Sequence, residues 1–159
     1  NTQKIINVPP PISWAKLLIN QEIYKIWRQR WCYIEGQRQS KIWFPTLYKK
    51  ASKQLLELSR NELGLCVQML TGHNRLNRHE SLINPGISPM CRLCTEEEET
   101  SWHIIGECPM LRSKRWQSFG EPYLDNPPEW RPWKLLQFLH DAKIAEMNKR
   151  EILNPSQSQ

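Results

Sequence analysis

Cys91-Arg-Leu-Cys94-Thr-Glu-Glu-Glu-Glu-Thr-Ser-Trp-His103-Ile-Ile-Gly-Glu-Cys108 is the stretch around which the rest of the chain is read. Its form is C-x2-C-x8-H-x4-C. Two residues between the first cysteines let a tight knuckle bring both sulfurs to one point, and an imidazole plus a third thiolate complete a tetrahedral donor set. Zn²⁺ is the ion that this mixture of donors suits, so Cys91, Cys94, His103 and Cys108 are the expected ligands. Four protein ligands leave no open coordination position, which makes the expected site structural rather than hydrolytic. Thr100 stands where it can cap a short helix presenting His103. Five residues along an α-helix rotate by about 500°, so Cys108 does not share the His103 face on a continuing α-helix. Pro109 then reads as the end of that helix, with Cys108 turning back to the metal. The run Glu96 to Glu99 reads as a solvated loop that favours the following helix N-terminus.

Outward from this segment the chain reads as helices. Val8-Pro9-Pro10-Pro11 is a stiff extended entry. From Ser13 to about Ile34 apolar residues recur at helical spacing, with Ile19, Ile23, Ile26, Trp27 and Ile34 on one stripe. Gln37 to Phe44 reads as a polar, basic connection. Pro45-Thr46 opens a helix carrying Leu47, Ala51, Leu55 and Leu58, with Thr46 as its N-cap. Ser59-Arg60-Asn61-Glu62 is a capping box, followed by Leu63, Cys66, Val67 and Leu70 on one face and by Gly72 as a left-handed stop. Asn74 to Ile83 reads as a short helix with Leu76, His79 and Ile83 on one face, broken by Asn84-Pro85-Gly86. Met110 to Phe119 is short and basic, Glu121 to Pro132 is proline-rich, and Trp133 to about Lys149 is a last helix with Leu135, Phe138, Leu139, Ala142 and Ala145 as its stripe. No alternating strand pattern of useful length is present. The expected fold is all-α: a small helical domain with an embedded CCHC zinc site. Residues 1–12 form a linker from a preceding domain, 13–150 the domain with its zinc segment 91–108, and 151–159 a flexible tail.

With 159 residues, 39% hydrophobic and 24% charged, the chain can bury one core, and no apolar run is long enough to span a membrane. The first residues, Asn1-Thr-Gln-Lys, resemble neither an initiator start nor a signal peptide, so the sequence reads as a piece of a longer polypeptide. Eight Trp against three Phe point to large anchored packing sites. Five cysteines, three of them in the zinc segment, fit a reducing intracellular compartment, nucleus or cytoplasm, better than a disulfide framework. Cys32 and Cys66 read as buried thiols. The net charge of +6 is uneven. Residues 1–90 hold thirteen Lys/Arg against five Asp/Glu, whereas 91–108 hold one Arg against five Glu. The basic half is the expected polyanion-facing surface.

Thr71-Gly72-His73-Asn74-Arg75-Leu76-Asn77-Arg78-His79, then Cys91-x2-Cys94, Glu98-Glu99-Thr100, His103 and Glu107-Cys108-Pro109, resembles the carboxy-terminal zinc-binding region of non-LTR retrotransposon reverse-transcriptase polyproteins. Pro9-Pro10-Pro11-Ile12-Ser13-Trp14-Ala15-Lys16 is similar to the exit from the RNase H domain that precedes this region in that family. The resemblance covers about residues 9–115 and is closest over 71–109. It implies a non-catalytic module whose four ligands are Cys91, Cys94, His103 and Cys108, with polymerase and RNase H acidic residues upstream in the parent chain.

Two functions follow from these readings. The first is binding of template RNA or target DNA, carried by Arg75, Arg78 and His73 at the Gly72 corner, by Lys49, Lys50 and Lys53, and by Arg112 and Arg115. The same Arg112 and Arg115 serve equally as outer-shell compensation for the thiolates, and His79 is expected to pack beside Leu76 and Ile83. Trp14, Trp27, Trp31 and Trp43, interleaved with basic residues, are expected in the core more than as base-stacking platforms. The second function is a zinc-stapled interaction module that docks onto the RNase H or polymerase domain. An independent enzyme is disfavoured, since no nucleophile–base pair or two-metal carboxylate set is apparent.

Overall fold

A computed structural model describes residues 11–46 and 48–147. The expected linker (apart from its last two residues), Leu47 and the tail lie outside the described residues. Helices α1 (Ile12–Tyr33), α2 (Arg38–Trp43), α3 (Lys49–Leu56), α4 (Arg60–Thr71) and α5 (Asn77–Ile83) precede the metal segment. A π turn (His103–Glu107), a 3-10 turn (Pro109–Leu111) and helices α6 (Arg112–Phe119), α7 (Pro132–Asp141) and α8 (Ile144–Met147) follow. Among the described residues there is no strand, only an isolated antiparallel bridge between Met90 and Glu98. The all-α expectation is met.

Where the sequence suggests one helical domain over 13–150, the chain divides into two units, Asn1–Gly36 and Gln37–Gln159. The first unit is α1. It has the expected extent to within a residue at each end, but buries none of its residues. Trp27 and Trp31, one turn apart, stack with ring centroids 5.5 Å apart. Cys32 is exposed, contrary to the buried thiol expected from its apolar neighbours. Trp31 beside it is only half-buried and Tyr33 is exposed, so apolar sequence context did not amount to burial.

The second unit is built around α4. Its capping box forms as expected: Glu62 Oε2 accepts the Ser59 backbone N–H at 2.9 Å, and the Ser59 hydroxyl faces the Glu62 N–H. The Ser59 hydroxyl also donates to Glu62 Oε2 at 2.6 Å, and this bond, with that from the Ser59 N–H, holds the Glu62 carboxyl below its usual pKa. Gly72 closes the helix with φ +78°, a conformation that L side chains rarely adopt. Cys66, Met69 and Leu70 on α4 join Trp43, Ala51, Leu135, Phe138, Leu139 and Ile144 in one core. Helix α4 packs against α2, α3 and α7, and α6 packs against α7. Cys66 is fully buried, which pushes its thiol up to about 12.

Five local expectations are corrected. The polar connection Gln37 to Phe44 contains α2, because Trp43 is pulled into an aromatic cluster. Its ring meets Trp102 and Trp130 edge-on at 6.0 and 5.9 Å, and Phe44 meets Trp130 at 5.3 Å. Tyr48, not Thr46, precedes the first turn of α3. Helix α5 starts at Asn77 rather than Asn74, since the Asn74 carbonyl oxygen accepts the Leu76 N–H at 3.0 Å and diverts the backbone into a turn. Ile83 is exposed and not part of its packed face. The last helix breaks at Lys143, φ +58°, and that break lets Ile144 reach the core. Phe138 is fully buried against Phe119 at 5.4 Å. Replacing Phe138 with Ala is expected to lower stability by about 3–5 kcal/mol, read from a chemical denaturation curve of the folded chain.

Candidate metal centre

Cys91, Cys94, His103 and Cys108 come together, with their ligand atoms all within 4.8 Å of one another. The cluster can hold a metal ion. Cys91 Sγ lies 4.0 Å from Cys108 Sγ, and Cys94 Sγ lies 3.3 Å from His103 Nε2. A tetrahedron with metal–sulfur bonds near 2.3 Å has sulfur–sulfur edges of about 3.8 Å, so the donors are already spaced for one ion.

Local sequence explains each ligand's position. The knuckle closes through Thr95 N–H to Cys91 O at 2.8 Å, with Thr95 at φ +62°, and the Leu93 N–H points at Cys91 Sγ at 3.4 Å. The Cys91 N–H donates to Glu97 O at 2.7 Å, which folds the acidic loop back over the knuckle. Thr100 caps as expected, its hydroxyl accepting the His103 N–H at 2.9 Å. The expected break before Cys108 takes another form. His103–Glu107 is a π turn, closed by Cys108 N–H to His103 O at 2.7 Å. An i→i+5 turn returns the chain to the same side after five residues, which an α-helix cannot do.

The π turn depends on Gly106. A Cβ there would stand 2.9 Å from the Trp102 ring and 3.3 Å from Leu124 O, while Gly106 O accepts the Leu124 N–H at 2.9 Å. The carbonyls that the wider turn leaves free are taken by Arg115. Its guanidinium donates to Ile105 O at 2.7 Å, Cys108 O at 3.0 Å and Ile104 O at 3.4 Å, and also to Pro122 O. Arg115 is fully buried. The nucleic-acid role expected for it is therefore corrected: a side chain bound to four backbone carbonyls cannot reach a phosphate. Its charge instead stands beside the thiolates. Three thiolates on a divalent ion leave one formal negative charge, and Arg115 offsets it.

Burial pushes the Cys108 thiol up to about 12 and raises Cys91 as well. Cys94 is held below its usual value: its slight burial works the other way, but backbone N–H groups at Glu96 and Glu97 stabilise the thiolate. Burial lowers the His103 pKa, favouring the neutral, ligating imidazole. With Nε2 facing Cys94, the buried Nδ1 has no hydrogen-bond partner among the described residues, and Glu107 Oε2 stands 3.9 Å from it. At that distance Glu107 acts on the imidazole through its charge and not through a hydrogen bond.

Sequence reasoning missed Glu99. The acidic run is solvated at Glu96, Glu97 and Glu98, but Glu99 is fully buried. Its carboxylate accepts the Asn77 N–H at 2.7 Å and the Arg92 N–H at 3.2 Å, and pairs with the Arg92 guanidinium at 2.9 Å. Arg92 also donates to Arg75 O and Asn77 Oδ1 at 2.8 and 3.0 Å. Nothing in four consecutive glutamates marks which one turns inward. Asn74 was missed too; its side-chain amide donates to Ser101 Oγ at 2.7 Å, which pins the Gly72 corner to the metal segment.

The other expected contacts divide. His73 is exposed and its ring meets His79 at 5.2 Å. Arg75 is half-buried, and Arg78 pairs with Glu98 at 2.8 Å. Lys49, Lys50 and Lys53 are exposed on α3, and Arg112 is exposed on α6. No helix among the described residues is long and apolar enough to cross a membrane. No protein-family model matches the chain, and no curated protein or solved structure matches it. Replacing Arg115 with Lys keeps the charge but not the fork of donors. The variant is expected to lose at least about 2 kcal/mol of stability in the metal-loaded protein while leaving any salt dependence of nucleic-acid binding unchanged. Denaturant melts and binding titrations of the same preparation check both.

Proposed function

We propose that this chain is a non-catalytic, zinc-stapled module that binds RNA or DNA on behalf of a reverse-transcriptase polyprotein of the non-LTR retrotransposon class. One observation carries the reading: the metal segment and the basic Gly72 corner are a single hydrogen-bonded unit, joined through Glu99, Arg92 and Asn77. A closed metal site that fixes a basic corner is a device for holding a binding surface, and its four protein ligands leave no position for substrate. Zn²⁺ is the ion favoured by three thiolates and an imidazole at these spacings. The basic excess of residues 1–90 supports a polyanionic partner, and a set of free thiols supports a reducing compartment, nucleus or cytoplasm.

A second reading is favoured by one specific feature. Helix α1 exposes Ile12, Leu17, Ile19, Ile23 and Ile26, all more than half exposed, and such a helix suits docking onto the preceding RNase H or polymerase domain. Salt separates the two readings, because phosphate binding weakens steeply with salt and apolar docking does not.

The purified chain is expected to carry one equivalent of zinc by elemental analysis, and chelation is expected to lower its helical signal. Less than half an equivalent, together with unchanged helicity on chelation, contradicts the zinc assignment. Replacing Arg75 and Arg78 by Ala is expected to weaken nucleic-acid binding and flatten the log–log salt plot by up to about 0.9 per lost duplex contact and about 0.7 on single strands. Because Glu98 occupies Arg78, changing Glu97 and Glu98 to Gln is expected to leave affinity equal or raise it. Silent Arg variants combined with Glu variants that abolish binding would give precedence to the docking reading.

A further inference from the structure

The second unit contains a cleft of about 370 Å³ beside the metal segment but separate from the ligands. One wall is the first turn of α2 with Gln37 and Arg38, and another is the Gly72 corner with His73 and His79. The third is the stretch Glu98 to Thr100. Its size falls at the lower end of the range for small-ligand sites, on the scale of one nucleotide.

The charges around the cleft nearly cancel. Arg78 is paired with Glu98 at 2.8 Å, and the buried Glu99 is paired with Arg92 at 2.9 Å. Arg38 is left over: it is exposed and has no ion-pair partner among the described residues. The charged residues of the lining sum to zero, but Arg92, outside the lining, neutralises Glu99, so the lining with this ion-pair partner carries one positive charge in excess, at Arg38. Beside it stand two imidazole rings in mutual edge contact, 68° between planes, with His73 exposed. A flat aromatic group carrying one negative charge matches that combination, and a nucleotide within a phosphodiester chain is such a group. Bases in a duplex are stacked and paired and cannot enter a concave site without being extruded, whereas unpaired bases stack readily on aromatic side chains.

We propose that this cleft seats one unpaired nucleotide of a single-stranded RNA or DNA, with the His73–His79 pair as the stacking platform and Arg38 on the adjoining phosphate. The proposal rests on the nucleic-acid reading above and narrows it to single strands. It also gives the metal segment a part in recognition, because Glu98, Glu99 and Thr100 form a wall of the cleft while Thr100 caps the turn that presents His103.

The test is a fluorescence-anisotropy titration of the full, zinc-loaded chain with four probes of one sequence: single-stranded RNA, single-stranded DNA, the DNA duplex, and a single strand of abasic sites. Both base-bearing single strands are expected to bind more tightly than the abasic strand and the duplex, and the RNA and DNA arms report whether the 2′-hydroxyl contributes. Arg38→Ala and His73→Ala, both at exposed positions, are each expected to weaken single-strand binding about 5- to 10-fold, with unchanged circular dichroism. His79→Phe retains a ring and is expected to bind within about 2-fold of wild type, while His79→Ala is expected to lose affinity as His73→Ala does. Equal binding of abasic and base-bearing strands, or unaltered affinity in the Arg38 and His73 variants, overturns the cleft assignment and leaves the broader nucleic-acid reading standing. No salt-sensitive binding of any probe by the wild-type chain overturns both.

Discussion

The hydrogen bond from the Cys108 N–H to the His103 carbonyl is the constraint on which the larger unit depends. A tetrahedral site needs its third and fourth ligands on the same side of the chain, and a spacing of five residues denies this to an α-helix. The wider turn supplies it, and three consequences follow. A glycine is needed where the turn presses on Trp102 and Leu124. The loosened carbonyls need donors, which one buried guanidinium provides. The guanidinium then stands beside the sulfurs, where it would offset the excess negative charge of three thiolates on a divalent ion. Metal geometry, backbone satisfaction and electrostatics are thus met by the same few residues.

The metal segment reaches beyond its own ligands through Glu99. A buried carboxylate left without partners would be strongly destabilising, and here it is saturated by two backbone N–H groups and a guanidinium. One of those N–H groups is the first residue of α5, so the loop that carries two cysteines also sets where α5 begins. The Asn74 side chain makes a second tie, to Ser101. Through these two ties the ligand loop, the basic corner and one wall of the cleft are one hydrogen-bonded unit. The remaining acidic residues of the run stay in solvent, and Glu98 among them is paired with Arg78.

Aromatic packing completes the frame. Trp43, Trp102 and Trp130 come from a short helix, from the residue before His103 and from the proline-rich stretch, and they meet edge-to-face. This arrangement accounts for part of the tryptophan excess and converts a basic, polar-looking connection into α2. The tryptophans of α1 behave differently: Trp27 and Trp31 stack on each other in a helix that buries nothing.

The amino-acid sequence by itself determined the helical class, the extent of α1 and α4, the Ser59 capping box, the Gly72 stop and the four clustered ligands. Each of these is a local pattern: a periodicity, a cap or a donor spacing whose physics operates within a few residues. Tertiary structure decided the rest. Whether Cys32 is buried, which of four glutamates turns inward, whether Arg115 faces phosphate or carbonyls, and how Cys108 returns to His103 all depend on partners far along the chain or on a choice between helix types of similar local energy. Composition and spacing specify which chemistry is available, but burial and long-range hydrogen bonding select among chemically identical residues, because the cost of an unsatisfied polar group is set by its surroundings and not by its neighbours in sequence.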